Sequence, residues 1–174
     1  HLPDCEALVS VERLSGGASQ ETYRMIVRTA SGDKPLALRR APGGEFVERT
    51  PQHPGLDVEA LLMQSAREVG VPEPEVYYVL TRDDDLGDGF IMEWLEGEAL
   101  GARIVRSPEF ENIRPRLAYE CGRVLAKIHG IDLDKTGLRE KLWTIPPAEF
   151  VEQTWERYRL LETPRPMFDY TAGG

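Results

Sequence analysis

A short segment rich in small residues is the first part of the chain that could carry out chemistry, and it reads Ser15-Gly16-Gly17-Ala18-Ser19. With few side chains in the way, its backbone N–H groups can approach the oxygens of a polyphosphate. The same residues would also make an ordinary Gly-Gly hairpin turn, which is the more frequent use of this pattern. The segment therefore indicates a phosphate-covering loop only where other residues support it.

A cation and a carboxylate further along the chain give that support. Arg39 ends the apolar stretch Leu36-Ala37-Leu38-Arg39, and Glu59 follows within a predicted helix. A strand cation can neutralise phosphate charge while a helix carboxylate holds the cation through a charge-assisted hydrogen bond. Most Arg and Glu side chains are solvated surface groups, so neither residue is distinctive alone. We predict that the two charged groups approach within about 4 Å.

A third segment changes from apolar to polar within a few residues, and it reads Phe90-Ile91-Met92-Glu93-Trp94-Leu95-Glu96-Gly97. We predict that the Glu93 carbonyl and the Leu95 N–H meet the edge of an adenine ring, with Met92 and Trp94 as apolar walls. An edge strand followed by an ordinary linker would show the same pattern. We call residues 90–97 the connector.

The elements that must position these residues follow from hydrophobic periodicity. Strand-like spacing predicts five strands, over residues 7–14, 22–30, 35–40, 75–81 and 89–94. The first three form an antiparallel meander, and the last two form a hairpin joined by an acidic turn at 83–88. Helical spacing from Asp57 ends at Gly70, and the Pro- and Gly-rich residues 41–55 predict a mobile loop.

Strand signals cease beyond Gly97, and helical spacing takes over. Apolar residues from 117 to 128 mark a helix that ends near Gly130, and those from 150 to 161 mark another that ends before Pro164. This change predicts a boundary between a small lobe, residues 1–96, and a helical part, residues 97–174. The predicted fold class is α+β: a five-stranded antiparallel sheet with one helix, followed by further helices.

Charge and composition narrow the classes of function. The formal net charge of −9 disfavours a nucleic-acid-binding surface, because phosphate backbones are held by clustered Lys and Arg. No run approaches the ~18 apolar residues of a membrane span. Cys5 and Cys121 lie far apart, which argues against a disulfide framework or a zinc site. We expect a cytoplasmic protein with neither nucleic acid nor membrane as a partner.

Six segments in order along residues 10–132 resemble the successive N-terminal motifs of the aminoglycoside phosphotransferase and choline kinase superfamily. These segments are residues 15–23, 38–40, 59–62, 70–74, 90–97 and 125–129. The Gly70-Val71-Pro72-Glu73-Pro74 turn and the connector most resemble the branch that is also found fused to acyl-CoA dehydrogenases. The resemblance implies a protein-kinase-like N-lobe followed by the first helices of a helical C-lobe.

The resemblance also implies an activity and a nucleotide site. The activity is ATP- and Mg²⁺-dependent transfer of the γ-phosphoryl group to a hydroxyl of a small molecule. Arg39 becomes the phosphate-contacting cation and Glu59 its partner, although most kinases carry Lys where Arg39 stands. The implied nucleotide-binding residues are Ser15, Gly16, Gly17, Ser19, Arg39, Glu59, Met92, Glu93, Trp94 and Leu95.

The superfamily's catalytic segment, His-Gly-Asp-x-x-x-x-Asn, does not occur in these 174 residues. We therefore expect this chain to hold the nucleotide-binding half, with no catalytic and no metal-ligating residue, and to be inactive alone. His129, followed by Gly130 and Ile131, matches a structural position of the superfamily. A non-catalytic nucleotide-binding or protein-interaction module is the alternative. The acceptor substrate and the oligomeric state stay open.

Overall fold

A computed structural model describes residues 2, 4–15, 19–50 and 52–161. Within these residues the principal elements are five strands and four α-helices. They are β1 (Cys5–Arg13), β2 (Glu21–Thr29), β3 (Gly32–Arg40), α1 (Leu56–Glu68), β4 (Val76–Val79), β5 (Gly89–Glu93), α2 (Gly101–Arg106), α3 (Arg114–His129) and α4 (Pro147–Arg159). The chain divides into two compact units, the first ending at Leu142 and the second beginning at Trp143. The predicted small lobe, residues 1–96, lies in the first unit, and its limits stay a prediction.

The five strands form one antiparallel sheet in the order β1-β2-β3-β5-β4. The predicted fold class is confirmed, as are the meander of the first three strands and the hairpin of the last two. Strand β5 lies between β3 and β4 and pairs with both. The strand that leads into the connector is therefore the direct neighbour of the strand that carries Arg39.

Alternating side chains give the sheet two different faces. One face carries a core cluster made of Met25 and Val27 of β2 with Leu36 and Leu38 of β3. Because successive side chains of a strand point to opposite faces, Ala37 and its alternating neighbours lie on the other side. The second face is the one on which α1 packs, as the next cluster shows.

Helix α1 packs against β4 and β5 through a second core cluster. Leu56 and Ala60 of the helix bury their side chains against Phe90 of β5 and Ala41. The helix follows Gly55, whose φ of 105° suits glycine. Its first turn carries acidic residues, which favour the positive end of the helix dipole.

The loop predicted to be mobile is held in its first part by the turn between β4 and β5. The Ala41 N–H donates to the Asp88 carbonyl at 2.8 Å, and the Asp88 N–H donates to the Glu45 carbonyl at 3.0 Å. The Asp88 carboxylate also accepts from the Val47 N–H at 2.8 Å. These contacts fix where the chain leaves β3 and so limit the freedom of residues 41–47.

Three helices follow the sheet, and the sequence predicted two of them. Helices α3 and α4 confirm the two periodic stretches. Helix α2 was missed because its six residues are too few to establish a helical period. The Arg114 guanidinium supports it by donating to the carbonyls of Ile104, at 3.1 Å, and Ser107, at 2.9 Å. In the described part of the chain, no helix combines the length and the apolar character that crossing a membrane requires.

Replacing Gly87 with alanine is expected to destabilise the fold more than the same change at Gly137. Their φ angles are 79° and 71°, a region where an L-residue costs about 1–2 kcal/mol. An added Cβ at Gly87 would lie 2.3 Å from the carbonyl carbon of Gly44, whereas at Gly137 it meets nothing within 4 Å. Overpacking should add about 1–3 kcal/mol at Gly87 alone. Thermal unfolding followed by circular dichroism measures both losses, and equal losses would contradict the prediction.

Candidate functional site

Cross-strand register places the predicted phosphate cation and the connector on one face of the sheet. Arg39 of β3 pairs with Phe90 of β5, and Ala37 pairs with Met92. Phe90 and Met92 both contact the cluster to which α1 contributes. Arg39 therefore lies on the α1 side of the sheet. It is two residues along β3 from Ala37, which pairs with Met92.

The predicted contact between Arg39 and Glu59 is present. The Arg39 Nη2 lies 3.1 Å from the Glu59 Oε1, and the two side chains are 38% and 33% exposed. Pairs this open to solvent contribute only about 0–1 kcal/mol to stability. The pair is thus better suited to orienting a guanidinium than to stabilising the fold.

Gln20 contacts the same guanidinium through another of its nitrogens. Its side-chain oxygen accepts a hydrogen bond from the Arg39 Nε. Gln20 comes directly after Ser19, so Arg39 is anchored both to α1 and to the end of the predicted phosphate loop. Sequence reasoning assigned Gln20 no role, and its position beside the loop was the available signal.

The predicted phosphate loop lies between β1 and β2. Its first and last residues, Ser15 and Ser19, are exposed. Gly16 and Gly17, which the sequence also assigned to phosphate binding, lie outside the described residues. At the base of the loop, the Leu14 N–H donates to the Thr22 carbonyl at 2.8 Å.

The connector begins within β5 and continues past the end of that strand at Glu93. Met92 is half-buried against the α1 cluster. The Trp94 indole N–H donates to Glu96 at 2.7 Å. Leu95 is 52% exposed, and none of the described residues accepts a hydrogen bond from its N–H.

The Glu93 side chain faces away from the predicted adenine position. Its carboxylate accepts from the Glu75 N–H at 3.2 Å and lies 3.9 Å from the Arg67 guanidinium. The Glu93 side chain is thus engaged by other residues, and the contact of its backbone carbonyl with a base stays a prediction.

A cavity of about 460 Å³ opens beside the Arg39–Glu59 pair. Its walls include Ser19 and Gln20 at the loop end, Glu59 and Leu62 of α1, and residues 52–55. Small-molecule pockets commonly have volumes of about 300–1,000 Å³. The phosphate end of the candidate site is therefore bordered by a space of ligand size.

On the opposite face of the sheet, Glu21 is the buried centre of a charged cluster. It is 8% exposed and accepts from the Tyr23 hydroxyl at 2.8 Å and the Arg40 Nε at 3.0 Å. The Arg13 Nη2 lies 3.1 Å from its other oxygen. This cluster joins the ends of β1 and β3 to the start of β2, and so closes the base of the loop.

The cluster shifts the pKa of both of its central groups. The Tyr23 hydrogen bond, helped by Arg40 and Arg13 and opposed by burial, lowers the pKa of Glu21 below its usual 4.5. Burial opposes the charge of Arg40, but the bonds to Tyr23 and Glu21 still raise its pKa. Both groups are therefore held in their charged forms at neutral pH.

The described residues fit a nucleotide phosphate better than a metal ion. Arg39 offers guanidinium donors fixed by two neighbours, which suits phosphate oxygens. Across the described ranges, no group of three or more His, Cys, Asp and Glu side chains is arranged to hold a metal ion.

Glu21→Gln is expected to lower the thermal midpoint by more at pH 7 than at pH 3. Because the pKa of Glu21 is lowered on folding from its usual 4.5, its carboxylate adds stability above that unfolded value. That contribution is lost as the pH falls through the folded value. Thermal unfolding of both proteins at the two pH values checks this, with Glu12→Gln on the exposed β1 as control. A pH-independent difference would contradict the charge argument.

Comparison with known proteins assigns the chain to a family. No curated protein matches it. A family model described as the phosphotransferase enzyme family, APH, matches residues 10–169. This match covers most of the chain, including the loop, Arg39, Glu59 and the connector, and it confirms the resemblance to the aminoglycoside phosphotransferase and choline kinase superfamily. The chain belongs to the phosphotransferase enzyme family.

Proposed function

We propose that this chain supplies the nucleotide-binding half of a phosphotransferase that moves the γ-phosphoryl group of ATP to a hydroxyl of a small molecule. Family membership supports a phosphotransferase in general. The observation that carries the nucleotide assignment is the Arg39–Glu59 contact of 3.1 Å. It lies on the sheet face that continues to Met92 and the connector.

In the proposed complex, Arg39 binds the phosphates and Glu59 keeps its guanidinium in place. Catalysis of phosphoryl transfer depends mainly on positioning and on stabilising charge. A guanidinium presents several donors in a rigid plane, so a fixed plane sets the position of the phosphate oxygens. Gln20 adds a neutral acceptor on the loop side, which orients the plane without cancelling its charge.

The base lies at the connector in this proposal. Adenine sits beside Met92, accepts from the Leu95 N–H and donates to the Glu93 carbonyl. Two residues along β3 separate Ala37, beside Met92, from Arg39, which is about 6.6 Å of strand. A nucleotide bound across this face therefore has its base and its phosphates near the residues assigned to them.

Magnesium and a cytoplasmic location complete the proposal. Kinase-like members of the family generally use ATP and Mg²⁺, and ATP is abundant in the cytoplasm. The residues that we assign in this chain contact the nucleotide, and none of them is assigned to the magnesium ion. Both cysteines, Cys5 and Cys121, are free, which suits a reducing compartment.

A second function, a non-catalytic nucleotide-binding or protein-interaction module, shares the same site. A His-Gly-Asp sequence downstream of Gly174 would favour the phosphotransferase, and its absence there would favour the module. A nucleotide-binding module would bind ATP without turnover, whereas a protein-interaction module would not require ATP binding.

We expect the chain to bind ATP and Arg39→Met to weaken that binding by about 10- to 100-fold. Hydrogen bonds to charged groups contribute about 1.5–3 kcal/mol, and each 1.4 kcal/mol is about tenfold in Kd. Isothermal titration calorimetry with Mg²⁺ measures Kd, and amide chemical shifts of Glu93 and Leu95 report the base. Arg28→Met is the matched control, since Arg28 lies on the same sheet but pairs with Asp33 at 2.9 Å. Wild-type binding that Arg39→Met leaves unchanged would remove Arg39 from the site.

This chain alone is expected to show no acceptor-dependent ATP consumption. Arg39 can neutralise phosphate charge, but the sequence offers no His-Gly-Asp segment to position an acceptor hydroxyl. General-base help alone is worth about 10²–10⁴-fold in rate. ATP consumption is measured for the chain and for the product of the full coding sequence, over a panel of amino alcohols and sugars. Robust turnover by the 174-residue chain would show that the catalytic residues lie within it, whereas inactivity of both would favour the non-catalytic module.

A further inference from the structure

Arg24 of β2 belongs to the same face of the sheet as the proposed nucleotide site. It pairs with Ala37 of β3, which in turn pairs with Met92 of β5. These three residues form one cross-strand row, and the next row along the sheet contains Arg39. Since Ala37 has only a methyl side chain, the row leaves space between Arg24 and Met92.

The Arg24 side chain already makes contacts at the connector. Its guanidinium carbon lies 5.1 Å from the centre of the Trp94 ring. Its Nη2 lies 3.8 Å from the Glu96 carboxylate, which also accepts from the Trp94 indole. A guanidinium is attracted to the faces of aromatic rings, and its planar shape also allows it to stack on a purine.

One atom of Arg24 is left without a partner. The side chain is 39% exposed overall, yet its Nε is buried and no described residue accepts a hydrogen bond from it. Buried donors in folded proteins nearly always have a partner, so an exception calls for a reason. Among the described residues Arg24 thus has no partner at this atom, so no hydrogen bond at Nε fixes the guanidinium in place.

We propose that Arg24 is a base-contacting residue whose guanidinium stacks on the purine ring of the nucleotide. The inference rests on the proposed function, because it takes the base to lie beside Met92. A purine beside Met92 also lies next to Ala37. It then meets the guanidinium of Arg24, which belongs to β2, while the connector binds the edge of the purine. Arg24 then contributes to the affinity for the base and not to that for the phosphates, which Arg39 binds.

The test compares a nucleotide with a ligand that lacks the base. Kd values for ATP and for inorganic tripolyphosphate, both with Mg²⁺, are measured by calorimetry for wild type, Arg24→Met and Arg28→Met. The expected result is a rise of about 3- to 30-fold in the ATP Kd of Arg24→Met, with its tripolyphosphate Kd unchanged. Arg28→Met should leave both constants unchanged. Circular dichroism establishes that the variants are folded.

A second variant separates stacking from charge. Arg24→Lys keeps the positive charge but loses the planar group, so it should weaken ATP binding as Arg24→Met does. Wild-type affinity in Arg24→Lys would overturn the stacking role. Parallel rises in both constants would instead assign Arg24 to the phosphates.

The remaining outcomes distinguish this inference from the proposed function. An unchanged ATP Kd in Arg24→Met would overturn this inference and leave the proposed function standing. A lower ATP Kd would do the same, because it would mean that Arg24 hinders nucleotide binding. Absence of ATP binding by the wild type would contradict the proposed function, and the base contact with it.

Discussion

The two neighbouring arginines at the end of β3 point to opposite faces of the sheet, and the organisation of the site depends on that alternation. Arg39 meets Glu59 on the α1 side, whereas Arg40 meets Glu21 on the other side. Because strand side chains alternate with a period of two, a shift of one residue in the register would exchange these partners. The same pairing of β3 with β5 brings the connector to the Arg39 face. The antiparallel register thus places the candidate site on one face of the sheet and the Glu21 cluster on the other.

Burial explains why the two ion pairs serve different purposes. Glu21 is nearly enclosed and is surrounded by two guanidinium groups and a hydroxyl, which together offset the loss of its hydration. Removing one partner there leaves a nearly buried charge with fewer hydrogen bonds, which costs stability. Glu59 and Arg39 are each about one-third exposed, and solvent weakens their attraction. An exchangeable ligand can therefore compete at Arg39 but not at Arg40.

Sequence patterns predicted the parts of the fold and site that depend on local spacing. Strand alternation and helical periodicity predicted the five strands, α1, α3 and α4, and the strand-to-helix interval predicted the Arg39–Glu59 contact. The insertion of β5 between β3 and β4 has no local signal, because it depends on which strands pair. Glu21 and Arg24 were missed for the same reason, and the contact of Gln20 with Arg39 likewise depends on strand pairing. Gln20 lies 19 residues from Arg39, and Glu21 lies 19 residues from Arg40. Arg24 lies 70 residues from Trp94. Only the pairing register of the strands brings these residues together.

The geometry around Arg39 gives a physical reason for arginine rather than lysine at the end of β3. Its Nε donates to Gln20 on the loop side, and its Nη2 approaches Glu59 on the helix side. A guanidinium carries these donors on different nitrogens of one plane, whereas an ammonium concentrates its donors at one point. Arginine can therefore span the space between the loop end and α1. Its Nη1 has no hydrogen-bond partner among the described residues, so this nitrogen is available to a phosphate oxygen in the proposed complex. A lysine that reached both Gln20 and Glu59 would have to lie between them, with its charge drawn away from the phosphates.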